Sequence, residues 1–283
     1  MSGLGEFSGG ATTIVTERCG STLIITFGNP RRMNALSPPD VQHLAQTLRE
    51  FDADDSLAVA VLVGQDERAF CSGADLKWAG ENPEAAQEYV ARSTGLRGSV
   101  FRRAHEALPG ELPAEIWKPI IAAVRGYCLG GGLEMALQCD LIVAAQDALF
   151  GFPEVIRGWT PAGGGMLLAP RHLPLKIAME MLLVGDPIDT ARAYQVGLVN
   201  SVVPDGEDVL EAACRLAERI ATNNLEAMRC IKEIAMKGLD RPLDYPASAW
   251  ELLNSMAHNR IFDPERMQRF QSSFGARKPS KDE

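Results

Sequence analysis

The amino-acid sequence predicts an α/β fold: short strands buried on both faces alternate with helices, and a strand-free helical region closes the chain. Three observations predict it. Fully apolar runs recur at 57–64 ("LAVAVLVG"), 119–124 ("PIIAAV") and 141–145 ("LIVAA"), the composition of strands covered on both sides of a largely parallel sheet. Runs of glycine stand directly before helix-like segments at "GGGLEMALQCD" and "GGGMLLAPRH". From about residue 208 onward only helical patterns remain, in "VLEAACRLAERIA" and "NLEAMRCIKEIAMKGL". The expected division is a core over residues 1–207 and a helical region over 208–283.

Taken in order, "TTIVTERCGSTLIITFG" holds two β-branched runs broken at Cys19–Gly20, the pattern of a hairpin. "NPRRMNALSPPD" is a loop, and Ser37 with Pro38 and Pro39 opens a helix over "DVQHLAQTLREFDAD". The strand "LAVAVLVG" is followed by the loop "QDERAFCSGADLKW". Residues 81–118 are mostly polar and helical in tendency, broken at Pro109–Gly110 and Pro113. "PIIAAVRGYCL" reads as one strand, "GGGLEMALQCD" as turn and helix, and "LIVAAQDALFGF" as a second strand. "AGGGMLLAPRHLPLKIAMEMLLVG" repeats the placement of glycines before a helix. No tandem repeat or low-complexity segment interrupts this order.

Composition narrows the function. With 46% hydrophobic and 23% charged residues in 283, the chain suits one large globular domain, or a core with a smaller appendage. A formal charge of −9 argues against general nucleic-acid binding, which needs clustered Lys and Arg. Six cysteines without a CxxC pair read as free thiols in a reducing compartment. No apolar run reaches the roughly 18 residues of a membrane span, and no basic residue precedes Arg18, so a cytoplasmic location is expected.

The chemistry concentrates in "RGYCLGGGLEMALQCD", residues 125–140. Its glycines resemble a dinucleotide fingerprint only superficially, because Met135 stands where the third glycine belongs and the stretch lies mid-chain. They do expose backbone N–H groups at a helix N-terminus, suited to a developing negative charge on oxygen. Glu134 in that first turn could simply favour the helix dipole. A second carboxylate, Glu154 in "ALFGFPEV", lies just past the next apolar strand. Two carboxylates in one apolar pocket can have their pKa values pushed apart, giving a base and an acid. The loop "AFCSGADLK" can supply another backbone N–H and complete a two-donor oxyanion hole, although a loop capped by Ser72 or Asp75 explains the same residues. Cys71 and Ser72 lack a GxSxG context, and none of His43, His105, His172 and His258 lies in a glycine-rich turn near them, so a hydrolase triad is not expected. Neither HExxH nor a spaced Cys/His set marks a metal site.

Five landmarks in order, "NPRRMNAL", "AFCSGADLK", "AAVRGYCLGGGLEMALQCDLIVAA", "FGFPEVIRGWTPAGGG" and "AMEMLLVGDPIDTARAYQVGLVNSVVP", resemble the crotonase superfamily, the enoyl-CoA hydratase/isomerase family, over roughly residues 12–275. The resemblance implies a crotonase-type spiral of ββα units with a C-terminal helical trimerisation region, and a homotrimer or dimer of trimers. It implies an acyl-CoA thioester substrate, with coenzyme A as part of the substrate and no separate cofactor or metal. The oxyanion donors are then the N–H groups of Ala74 and Gly131, and Glu134 and Glu154 match the catalytic glutamates. Arg31, Arg32, Met33, Asp75, Leu76 and Phe270 fall at CoA-contacting positions. The implied reaction is reversible addition of water across the C2=C3 bond of a 2-enoyl-CoA. An enoyl-CoA isomerase, another acyl-CoA lyase or hydrolase of the family, or a non-catalytic CoA-binding subunit are the alternatives. Departures from the family pattern are Arg125, where an Asn is usual, the long 81–118 segment, and "FQSSFGARK" in place of basic residues directly after the Phe.

Overall fold

The hairpin forms where the two β-branched runs meet. β1 (Ile14–Cys19) pairs antiparallel with β2 (Thr22–Phe27), and Gly20 takes the positive φ of the turn, +59°. The computed structural model describes residues 12–87 and 116–238. α1 (Pro38–Ala53) starts at Ser37 through a reciprocal capping box with Asp40, behind proline in its first turn. Its Leu44, Leu48 and Phe51 enter the core.

Beyond α1 the chain repeats one unit. β3 (Val59–Gly64) joins a six-stranded sheet and β4 (Ala69–Cys71) a four-stranded one, before α2 (Leu76–Glu81). β5 (Ile120–Val124) and β6 (Tyr127–Leu129) do the same before α3 (Gly131–Ala136), as do β7 (Leu141–Ala145) and β8 (Leu149–Gly151). The first strands of these units lie side by side and parallel, and so do the second strands. Each turn of the spiral therefore adds one strand to each sheet.

The structure corrects two strands of the sequence reading. "PIIAAVRGYCL" and "LIVAAQDALFGF" are each two strands in different sheets, not one. Gly126 turns the first corner with φ +61°, and a Cβ there would collide with Arg68 O. Beside it Arg125 ties three loops together: it pairs with Glu67 at 3.2 Å and Asp147 at 3.7 Å, and donates to Glu207 O at 3.3 Å. β4 also lies inside what the sequence suggests is a loop. Three residues are too few to show an alternation.

The second glycine-led helix is also two, α4 (Gly165–His172) and α5 (Leu175–Val184), separated at Leu173–Pro174. β9 (Ile188–Asp189) then pairs antiparallel with β8, α6 (Thr190–Gln195) follows, and β10 (Ser201–Val203) pairs parallel with β7. α7 (Val209–Ala221) buries Val209, Ala213 and Ala217 and packs on β2, β3, β5 and β7. The chain divides into compact units Met1–Asn223 and Asn224–Glu283. α7 lies within the first of these units, where this amphipathic helix covers the six-stranded sheet. In the second unit the described element is α8 (Leu225–Gly238).

Candidate active site

Strand pairing decides where the chemistry can occur. In the four-stranded sheet Cys71 of β4 lies opposite Cys128 of β6, and Leu129 of β6 opposite Gly151 of β8. These strands are parallel, so the loops leaving them emerge along one edge. Crevices outside the carboxyl ends of parallel strands are where open α/β sheets bind ligands. Ala74 is three residues past Cys71, Gly131 two past Leu129, and Glu154 three past Gly151.

Ala74 and Gly131 both line this crevice. Leu36 and Ala74 form an isolated parallel bridge: Leu36 N–H donates to Gly73 O at 2.8 Å, and Leu36 O accepts from Asp75 N–H at 2.9 Å. Both bonds go to Ala74's neighbours, so its own N–H points the opposite way. Gly131 opens α3, where first-turn N–H groups have no acceptor within the helix. The loops touch: a Cβ on Gly73, whose φ is +92°, would lie 2.8 Å from Gly131 N. Gly132 is equally constrained, since a Cβ there would strike Cys71 O.

The carboxylates flank these donors in different settings. Glu134 is 2% exposed, and its Oε1 accepts a 2.9 Å hydrogen bond from Gly165 N–H at the start of α4. Glu154 opens a 3-10 turn over Val155–Arg157 and is half-buried. A Cβ on Gly130 would lie 2.8 Å from Glu154 Oε1, so this carboxyl rests against the glycine turn. Its Oε2 is buried without a hydrogen-bond partner. Burial pushes the Glu154 pKa up, and its own backbone amide and the charge of Arg157 offset part of that rise.

Ala74, Gly131, Glu134 and Glu154 line one cavity of about 580 Å³. Leu36, Trp78, Pro153 and Trp159 add apolar walls. Trp78, Arg157, Trp159 and Thr160 are lining residues that the sequence reading did not single out. The latter three follow Glu154 by three, five and six positions, and proximity to a candidate acid was the available cue. Cys71 is fully buried with its thiol pKa pushed up to about 12 by desolvation, which removes it as a nucleophile. Ser72 Oγ donates to Arg32 O at 3.3 Å.

The positions expected to touch CoA separate into groups. Arg31 is exposed and Met33 half-buried in a left-handed conformation, φ 53°. Arg32 is engaged within the chain, pairing with Asp75 at 2.8 Å and Glu81 at 2.9 Å. Asp75 is 7% exposed and caps α2 by accepting from Trp78 N–H at 2.9 Å. Arg32 and Asp75 thus brace the loop that presents Ala74. Leu76 is exposed at the cavity, and Phe270 lies outside the described residues.

The sequence model of the enoyl-CoA hydratase/isomerase family matches residues 17–272. The chain belongs to this family. An (E)-benzylidenesuccinyl-CoA hydratase of Thauera aromatica is 35% identical over 221 residues, 78% of this chain and 81% of that relative. A short-chain-enoyl-CoA hydratase of Clostridium acetobutylicum is 31% identical, over 82% of this chain and 84% of its own length. The crystal structure of an enoyl-CoA hydratase from Mycobacterium marinum superimposes with a TM-score of 0.75 at 33% identity, covering 96% of this chain and 98% of that one. The α/β fold with paired sheets is therefore that of the enoyl-CoA hydratases, as the sequence resemblance implied.

Proposed function

We propose that this member of the family hydrates 2-enoyl-CoA thioesters reversibly, as a hydro-lyase, at the cavity between β4, β6 and β8. The observation that supports the reading is that Ala74, Gly131 and two carboxyls of contrasting environment, Glu134 and Glu154, line that one cavity. The thioester oxygen accepts from Ala74 N–H and Gly131 N–H, and these donors take up the enolate charge as it develops. Removing such a donor typically costs about 2.7–4 kcal/mol of transition-state stabilisation. Glu134, oriented by Gly165 N–H, takes a proton from water as its oxygen bonds to C3. Glu154, whose burial favours the protonated form, delivers its proton to C2. The C2=C3 π electrons pass into the enolate and then form the C2–H bond. Proton exchange with solvent resets both carboxyls. This chemistry needs no metal or redox cofactor.

Incubation with a panel of trans-2-enoyl-CoA esters, followed by loss of the enoyl absorbance and by identification of products, tests the reading. Formation of 3-hydroxyacyl-CoA is expected. Exclusive shift of the double bond would make the chain an isomerase, and failure to turn over any ester would make it a binder.

We further infer a homotrimer or a dimer of trimers. Ile156 is 66% exposed at the 3-10 turn, and α5 exposes Leu175, Leu183 and Val184. Val155 and Ile156 lie against Gly185 at the end of α5, making these parts one apolar surface. Covering such a surface favours association. Light scattering at micromolar concentration checks it, and a monomer would refute it. Six free cysteines, with Cys71 and Cys128 buried, suit a reducing compartment, and we assign the protein to the cytoplasm.

A further inference from the structure

Among the described residues, Arg157 is the basic one lining the active-site cavity, beside the acidic side chains of Asp75, Glu134 and Glu154. Two of these acids are engaged within the chain, and the third, Glu154, keeps one buried oxygen without a partner. Asp75 caps α2 and holds Arg32, Glu134 is fixed by Gly165 N–H, and Glu154 faces the glycine turn. Arg157 makes no side-chain hydrogen bond and no ion pair with another described residue; its charge acts on Glu154 only from a distance. An exposed arginine is ordinarily just solvated. This one is directed by its backbone. Arg157 N–H donates to Glu154 O at 2.9 Å, closing a 3-10 turn in which side chains three positions apart eclipse. Glu154 and Arg157 accordingly share a side of the turn, displaced by about 6 Å along its axis at a rise of ~2 Å per residue. Val155 and Ile156 point elsewhere, onto the exposed apolar surface.

On the proposed reaction, Glu154 serves C2 of the acyl chain. A guanidinium on the same side, a short distance beyond, meets whatever the acyl chain carries further along. The nearby walls are apolar: Trp78, Pro153 and Trp159 line the same cavity. A cation among apolar walls is mismatched to a plain hydrocarbon tail, which would desolvate it without compensation. A carboxylate supplies the compensation, because the guanidinium fork matches it with two parallel charge-assisted hydrogen bonds. Resting on the hydratase reading, we propose that the acyl group taken by this site bears a second carboxylate, so that the preferred substrates are CoA monothioesters of 2-enedioic acids, with Arg157 as the specificity-determining residue.

The test compares chain-matched pairs, 2-enedioyl-CoA (glutaconyl-CoA and longer homologues) against 2-enoyl-CoA, in wild type, Arg157→Gln and Arg157→Lys. Binding is measured in parallel by calorimetry with the saturated pairs, such as glutaryl-CoA against butyryl-CoA. For at least one chain length the wild type should favour the dicarboxylic ester by about 10–100-fold in kcat/KM and in Kd, the range of a charged hydrogen bond. Arg157→Gln should collapse that ratio, and Arg157→Lys should keep part of it. Effects of Arg157 on CoA phosphates or on Glu154 act on both members of a pair and cancel in the ratio. Equal wild-type values across every pair, or a ratio untouched by Arg157→Gln, overturn the proposal. A binding preference without hydration of any ester would leave this inference standing and refute the hydratase reading instead.

Discussion

Glu134 and Glu154 are the same residue type, twenty positions apart, and the fold treats them oppositely. Glu134 lies in the first turn of α3, almost fully buried, with a backbone N–H bonded to its Oε1. Glu154 sits on a short 3-10 turn, half-buried, with one oxygen buried and unpartnered. For Glu154, burial pushes the pKa up, and its own backbone amide and the charge of Arg157 only partly offset that. The lesson is that burial alone does not set a carboxyl's surroundings: the more buried of the two has a backbone donor on its Oε1, and the half-buried one keeps an oxygen without a partner.

The largest expected effect comes from removing either carboxyl. Glu134→Gln and Glu154→Gln retain size and should each lower hydration by at least about 10²-fold, with the double variant well short of the product of the two. Steady-state rates on an active enoyl-CoA ester check this. Near-wild-type hydration by Glu134→Gln, with loss confined to Glu154→Gln, would erase the contrast and indicate isomerase chemistry. Next in size is Gly130→Ala. Gly130 has φ +53°, and the new methyl would lie 2.8 Å from Glu154 Oε1, so kcat should fall by about tenfold or more. A wild-type circular dichroism spectrum would separate displacement of Glu154 from unfolding.

A smaller effect is expected at the rim. Arg31 is exposed, whereas Arg32 is already paired with Asp75 and Glu81. Arg31→Glu should raise KM for acyl-CoA a few-fold and weaken the salt dependence of KM, as loss of a screened attraction requires. Arg32→Glu should also lower thermal stability by loosening the Ala74 loop. An unchanged KM in Arg31→Glu removes it from the CoA site.

The smallest effect is on stability. Glu154 has a folded-state pKa raised by burial, so its contribution is most favourable below the unfolded value and is lost as pH rises through the folded one. Glu154→Gln should therefore raise Tm at pH 7–8 by about 1–3 °C, and the gain should vanish near pH 4, given ~2–4 °C per kcal/mol at this size. Calorimetric melts across pH check the sign. A gain that grows toward acid would contradict the raised pKa.

Much of this contrast was legible in the linear chain because its causes are local. Ser37 ahead of two prolines opens α1, Cys19–Gly20 turns the hairpin, and the glycines before Leu133 leave a helix N-terminus bare. Both glutamates could be singled out from apolar surroundings and from the family resemblance. Arg157 and Trp159 were not, because their proximity to Glu154 in sequence does not say which neighbouring side chains line a cavity. The corners at Gly126 and Asp147 were hidden as well, since an apolar run looks the same whether it stays in one sheet or crosses to another.

What the sequence by itself determined is the hairpin, the starts of α1 and α3 and the apolar strand runs, together with the residue types able to move protons and hold an oxyanion. Those depend on dihedral preferences, capping and hydrophobic period, which act over a few residues. Only tertiary structure decided that Ala74 N–H and Gly131 N–H lie together, that Gly165 holds Glu134 while Glu154 keeps an unpartnered oxygen, and that α7 belongs with the sheet. Each of these joins groups brought together by parallel strand pairing or by burial of an apolar face, and such long-range contacts exist only once the chain has closed on itself.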